Sequence, residues 1–170
     1  MNLEAIGPGE KAPTIVNCII EIPKGGTNKF EYDYHKETFK LDRVLHSSVF
    51  YPTEYGFIPQ TKVEDGDPLD IMVIATFSTF PGCLIRARVI GALKMTDNGR
   101  NDTKIIGICY EDPRMKHVKH LKDLPPHFKS EVENFFQSYA ELEPTKKIDI
   151  QGWSERKVAK ELVKKAIEAY

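Results

Sequence analysis

The chain has 170 residues, 41% of them hydrophobic and 29% charged, with a formal net charge of −1. That length fits one domain able to bury roughly two-thirds of its unfolded surface, and the charge balance excludes a global pull towards nucleic acid or anionic membrane. The three cysteines, Cys18, Cys83 and Cys109, form no C-x-x-C pair, which excludes a zinc knuckle or dithiol motif; they read as buried thiols in a reducing compartment.

Residues 1–10 carry no basic region followed by an apolar core, so no signal peptide is expected. No apolar run is long enough to span a bilayer. Cytoplasm is the expected location. The first apolar run, Ile15–Ile22, is closed by Pro23 and the Gly25-Gly26 turn and predicts a strand. Residues 30–34 alternate aromatic and acidic side chains, as a half-exposed strand does. Residues 39–45 and 71–77 are further candidate strands. Residues 84–95 and 104–110 flank a polar stretch containing Asn98-Gly99, which predicts two antiparallel strands joined by an acidic loop.

The pattern changes after Pro125-Pro126. Phe128, Val132, Phe135, Phe136 and Tyr139 fall on one stripe at helical spacing. A short strand is expected over residues 147–150. Ser154 then caps a second helix with Val158, Leu162, Val163, Ala166, Ile167 and Tyr170 on its apolar face. Strands first and helices later predict a single α+β domain over residues 1–170, its helices packed on one side of a sheet. A barrel is the favoured sheet form because closure removes exposed edges.

The chemistry concentrates in Asp65-Gly66-Asp67-Pro68-Leu69-Asp70. Gly66 permits a sharp turn and Pro68 fixes the backbone. Carboxylates gathered about 6 Å apart repel by roughly 3 kcal/mol per pair at an effective dielectric near 20. A chain that holds several together therefore needs cations, and all-oxygen ligands favour hard ions such as Mg²⁺, Mn²⁺ or Ca²⁺. The spacing does not match an EF-hand loop, and a solvated acidic turn is the plain alternative. Asp97 and Asp102, on the turn between the two antiparallel strands, supply a second acidic loop, with Lys104 close behind.

Partners for phosphate oxygens are also present. Lys29 and Glu31 alternate on one strand and share a face. Arg43 follows Asp42, and a planar guanidinium grips phosphate well. Tyr51 and Tyr55 bracket Pro52, and phenols donate hydrogen bonds without adding charge. Tyr139 lies on the helical stripe, where core packing is the plain reading. Glu21 interrupts an apolar strand and needs a cationic or metal partner if it is buried. His117, His120 and His127 read as surface or subunit-interface groups.

Taken together these residues resemble the family I soluble inorganic pyrophosphatases, over nearly the full chain from about Ile15. The anchor is Asp65-Gly66-Asp67-Pro68-Leu69-Asp70-Ile71, which matches the family signature D-x-D-P-x-D before an apolar strand. Around it stand Ile20-Glu21-Ile22-Pro23, Lys29-Phe30-Glu31, Asp42-Arg43, Tyr51-Pro52, Tyr55-Gly56-Phe57-Ile58-Pro59, Lys94-Met95-Thr96-Asp97, Phe135-Phe136, Tyr139 and Gly152-Trp153. The resemblance implies an OB-like five-stranded β-barrel with two main flanking α-helices, commonly assembled as a homohexamer. It implies hydrolysis of inorganic pyrophosphate to two phosphates by in-line attack of a metal-activated water.

Carried over by position, Asp65, Asp70 and Asp102 ligate one activating metal and Asp70 bridges to a second. Asp97 and Asp102 hold metals that arrive with substrate, with Glu21 helping through water; Glu31 and Tyr51 support the site. Lys29, Arg43, Tyr55 and Tyr139 contact phosphate oxygens, Lys104 sits between the acidic loop and the electrophilic phosphate, and Asp67 is the general base. The implied cofactor is several Mg²⁺ ions, with Mn²⁺ or Zn²⁺ able to substitute.

Two positions depart from the family pattern. Asn98 stands where many members carry an acid, and Ala140 where the family places a phosphate-binding lysine, with Lys146 the nearest downstream cation. Weaker substrate affinity than in a typical member is therefore expected. Two other readings stay open: a degenerate pyrophosphatase retained as a metal-binding protein, and an OB-like module for nucleic acid or nucleotide. The acidic cleft argues against the second, because such modules present a basic groove.

Overall fold

Strands fill most of the first two-thirds of the chain in the computed structural model, which describes residues 3–170. The readings at residues 1–10 and the domain bound at residue 1 thus extend to Met1 and Asn2, outside the described residues. In order come β1 (Ile15–Ile22), β2 (Asn28–Asp33), β3 (Thr38–Val44), β4 (Glu54–Ile58), β5 (Leu69–Ile74), β6 (Leu84–Asp97), β7 (Arg100–Asn101) and β8 (Lys104–Cys109). Then follow α1 (His127–Glu141), β9 (Ile148–Glu155) and α2 (Arg156–Glu168).

β1 pairs with β4, β4 with β5, β5 with β8 and β8 with β6, and β6 returns to β1. Five strands thus close on themselves, all antiparallel except the parallel β5–β8 pair. This is the expected OB-like barrel in an α+β fold. β7 and β9 extend the sheet from β6, while β2 and β3 form a separate hairpin. Where β4 crosses β1 the backbones come very close: a Cβ on Gly56 would lie 1.9 Å from the Ile19 carbonyl oxygen. Only glycine fits there.

Period-two alternation sorts the barrel side chains onto two faces. Met72, Ile90, Leu93, Ile106 and Ile108 pack with the α1 stripe Phe128, Val132, Phe135, Phe136 and Tyr139. Their sequence neighbours Ile71, Val73, Val89, Ala92 and Ile105 pack with Ala159, Val163 and Ala166 of α2. The two helices therefore cover opposite faces of the same strands rather than one side, because the strands are apolar on both faces.

Other differences have local causes. β4 is not among the expected strands: all five residues are buried, so no alternation marks it. β9 runs to Glu155, well past the expected residue 150, because it pairs along β6. Ser154 is consumed in that pairing opposite Ala92, so Glu155 and not Ser154 precedes α2, and its side chain makes no capping bond. Val158 and Tyr170 are exposed, and Ala159 takes the inward place on α2. Of the thiols only Cys18 is buried; Cys83 and Cys109 are partly exposed, and all three are free. Among the described residues no helix is long and apolar enough to cross a membrane.

Candidate active site

The same alternation that builds the barrel places the site. Tyr55, Asp70 and Lys104 lie on the α1 face of β4, β5 and β8, since Tyr55 pairs with Met72, and Met72 with Ile106. At this end of the barrel that face opens into a cavity of about 1150 Å³. Its floor is an ion cluster around a buried lysine. Lys104 Nζ lies 2.5 Å from Asp70 Oδ2 and also contacts Asp102 Oδ1, while the Tyr55 hydroxyl donates to Asp70 Oδ2 at 2.8 Å. Burial alone would lower the Lys104 pKa, but the two carboxylates outweigh it and the ammonium is held charged. Burial, then Asp70, pushes the Tyr55 phenol up, so it stays a donor. Tyr51 packs edge-on against Tyr55 and at a tilt against Phe135, at centroid distances of 5.3 and 4.7 Å, and burial raises its phenol too.

The rim is built from loops and the hairpin. Asp65 and Asp67 sit exposed in the turn before β5, where the Asp67 amide donates to Asp65 Oδ1 at 3.1 Å. The Asp67 carboxyl is raised above its ordinary value by partial burial, then by Asp65 and Asp70. Opposite, Lys29 Nζ lies 2.5 Å from Glu31 Oε1 and 3.6 Å from Asp42. These carboxylates outweigh burial and raise the lysine. Glu21 accepts the Tyr32 amide at 2.9 Å, yet burial lifts its carboxyl to about 8. A neutral acid at neutral pH becomes a ligand only when a cation drives its ionisation.

Every residue given a catalytic, metal, phosphate or supporting role from the sequence lines this cavity except Arg43. Arg43 is turned to two carboxylates, with Nε 2.7 Å from Asp42 Oδ2 and Nη1 2.6 Å from Glu143 Oε2. Glu143 was not singled out. It stands in the connector just past the end of α1, outside the helical stripe, so no periodicity marks it. Lys146, further along the same connector, does line the cleft.

The two departures have local explanations. Asn98 adopts a left-handed backbone, φ 52°, which asparagine tolerates well. Its side-chain oxygen accepts the Lys147 amide at 2.9 Å, and its own amide donates to the Lys147 carbonyl at 2.9 Å. Ala140 is buried in the α1 core cluster, one residue round the helix from the cleft. His117, His120 and His127 are exposed, as expected of surface groups.

The donor set suits hard cations: aspartates alone, one of them with a buried oxygen, Asp97 Oδ1, that has no hydrogen-bond partner. Among the described residues, however, no three carboxylates converge into a ready-made cluster. Lys104 holds Asp70 and Asp102, and Lys146 holds Asp97 at 3.2 Å. Mutual repulsion explains why the acids pair with ammonium groups rather than gather.

A family model described as inorganic pyrophosphatase matches residues 18–170. An inorganic pyrophosphatase from a Nostoc species is 49% identical over 170 residues, covering 100% of this chain and 99% of the relative. One from Saccharolobus solfataricus is 46% identical over 165 residues, 96% of each chain. The crystal structure of inorganic pyrophosphatase from Thermus thermophilus superposes with a TM-score of 0.97 at 44% identity, covering 100% of this chain and 99% of that one.

Proposed function

The chain belongs to the inorganic pyrophosphatase family, and on that premise we propose that it hydrolyses inorganic pyrophosphate to two phosphates in the acidic cleft. One observation carries the reading: carboxylates for hard cations and cationic or phenolic donors for phosphate oxygens face each other across a single cavity. The family is metal-dependent. Asp65, Asp70, Asp97 and Asp102 would hold the ions, with Mg²⁺ as the resident metal and Mn²⁺ or Zn²⁺ as substitutes. Bound there, the ions would supply a water of lowered pKa and neutralise phosphate charge.

The chain's own groups divide the remaining work. Asp67, exposed at the rim and with a raised pKa, accepts the proton of the attacking water. Lys29 and the phenols of Tyr55 and Tyr139 bind phosphate oxygens. Asp42 and Glu143 each take one of the five N–H donors of Arg43, which leaves others for phosphate. Lys104 places a fixed charge beside the electrophilic phosphorus, where it costs no reorganisation. Attack in line breaks the bridging P–O bond, and its electron pair leaves with the departing phosphate. Glu21, Glu31 and Tyr51 support these groups.

A homohexamer in the cytoplasm completes the proposal; the free thiols are consistent with a reducing compartment. Neither alternative reading gains an observation, because the cleft is acidic and the residues proposed for the site line it apart from Arg43. The test is phosphate release from pyrophosphate with Mg²⁺, with and without chelator, beside Asp67→Asn. Release lost in both controls is expected, and a wild type that releases no phosphate at any Mg²⁺ concentration overturns the reading.

A further inference from the structure

The connector between α1 and β9 brings one more ammonium into the cleft. Lys146 Nζ donates to the Tyr139 hydroxyl at 2.7 Å, lies 3.2 Å from Asp97 Oδ2 and sits 4.6 Å from the Tyr139 ring centroid. Its side chain is only 15% exposed. The connector itself is anchored by other groups. Asn98 exchanges two hydrogen bonds with the Lys147 backbone, and the Lys146 amide donates to the Glu143 carbonyl at 3.0 Å. The Lys146 ammonium is therefore spent on two groups of the cleft, not on holding its own loop.

We propose that Lys146 is a substrate-contacting residue that exchanges partners, neutralising Asp97 in the metal-free protein and binding a phosphate oxygen beside Tyr139 once a cation has taken Asp97. The proposal rests on the pyrophosphatase reading above. Three observations carry it. Asp97 presents one oxygen to Lys146, while its other oxygen is buried and unclaimed, so a carboxylate suited to a cation is half occupied by an ammonium. A lysine head is a compact charge on a flexible four-carbon stem and can move several ångströms without its backbone moving. The Tyr139 oxygen accepts from Lys146, which leaves the O–H itself to donate, so phenol and ammonium form two adjacent donors for one anionic group.

Two opposite effects on two ligands follow, and a residue that merely held the loop would not produce that pair. Lys146→Met should raise KM for pyrophosphate about tenfold or more, the loss of one charge-assisted hydrogen bond, with kcat within about threefold. The same variant should tighten Mg²⁺ binding to the substrate-free protein, read by titration calorimetry, by about tenfold, because no ammonium competes for Asp97. Lys146→Arg should restore KM to within about threefold, since the charge is kept. Lys146→Gln, which retains a donor for Tyr139, guards against a folding defect in the methionine variant. Unchanged KM together with unchanged or weakened Mg²⁺ binding, in whichever variant keeps the wild-type melting temperature, overturns the proposal. If the wild type releases no phosphate, the pyrophosphatase reading fails instead, and the Mg²⁺ titration alone decides whether Lys146 competes for Asp97.

Discussion

The floor and the rim of the cleft carry the same kinds of residue but are held by different physics. On the floor, Tyr55, Asp70 and Lys104 project from neighbouring strands of a closed barrel, and the pairing register sets their positions. Lys104 is 5% exposed and satisfies two carboxylates at once. On the rim, Lys29, Arg43, Asp65 and Asp67 stand on a hairpin outside the barrel and on an exposed turn. The hairpin cations pair with Glu31, Asp42 and Glu143, and the turn is held by the Asp67 amide bonding Asp65, so none of the four is placed by the barrel register. A buried charge must be paired or it destabilises the fold, whereas an exposed pair contributes little to stability and is free to trade partners. The floor is thus structural and chemical at once, and the rim, apart from the pair that Arg43 makes with the buried Glu143, is chemical alone.

That contrast is sharpest at Lys104. Lys104→Met leaves Asp70 and Asp102 without their cation and should lower the unfolding free energy of the metal-free protein by roughly 3 kcal/mol. Chemical denaturation checks this, and added Mg²⁺ should recover part of the loss. Asp67→Asn, on the rim, should slow phosphate release at saturating substrate by about 10²–10⁴-fold while the melting temperature stays unchanged. If Asp67→Asn unfolds the protein, or Lys104→Met does not weaken it, the division between floor and rim breaks.

Arg43→Lys keeps the charge but gives up the fork that serves Asp42, Glu143 and phosphate together. KM should rise by about tenfold, with the melting temperature within a few degrees of wild type. A test of pH dependence lies at Glu21, between the two regions. Burial raises its folded pKa from 4.5 to about 8, so between these values the folded state binds more protons than the unfolded state. Its contribution costs nothing below pH 4.5, and metal-free stability should fall as pH rises towards about 8. Glu21→Gln removes that slope and should stabilise the metal-free protein at pH 8.5 by roughly 2 kcal/mol, allowing for partial solvent screening. Thermal unfolding at pH 5 and pH 8.5 in chelator, with and without the substitution, measures it.

Much of this molecule was legible along the chain. The apolar run of β1, the apolar stretches of β6 and β8 on either side of Asn98-Gly99 and the stripe of α1 are signals written within a few residues of one another. The spacing of Asp65, Asp67 and Asp70 before an apolar strand is equally local, and it pointed to cations before any fold was known. β4 stayed hidden because Glu54 and Gly56 break its five residues, which leaves neither an apolar run nor an alternation to mark it, and the end of β9 was set by its partner β6 and not by Ser154. The opposed coverage of the barrel by α1 and α2 was likewise a matter of packing.

Tertiary structure alone decided which charges meet. Arg43 finds Glu143 a hundred residues away, Lys104 finds Asp70 across two parallel strands, and Lys146 reaches Asp97 because Asn98 anchors the connector that carries it. Periodicity reports which face a side chain occupies; it cannot report what lies opposite. That is settled only when the barrel closes, and ionic partners are chosen by distance and desolvation after the strands have found their register.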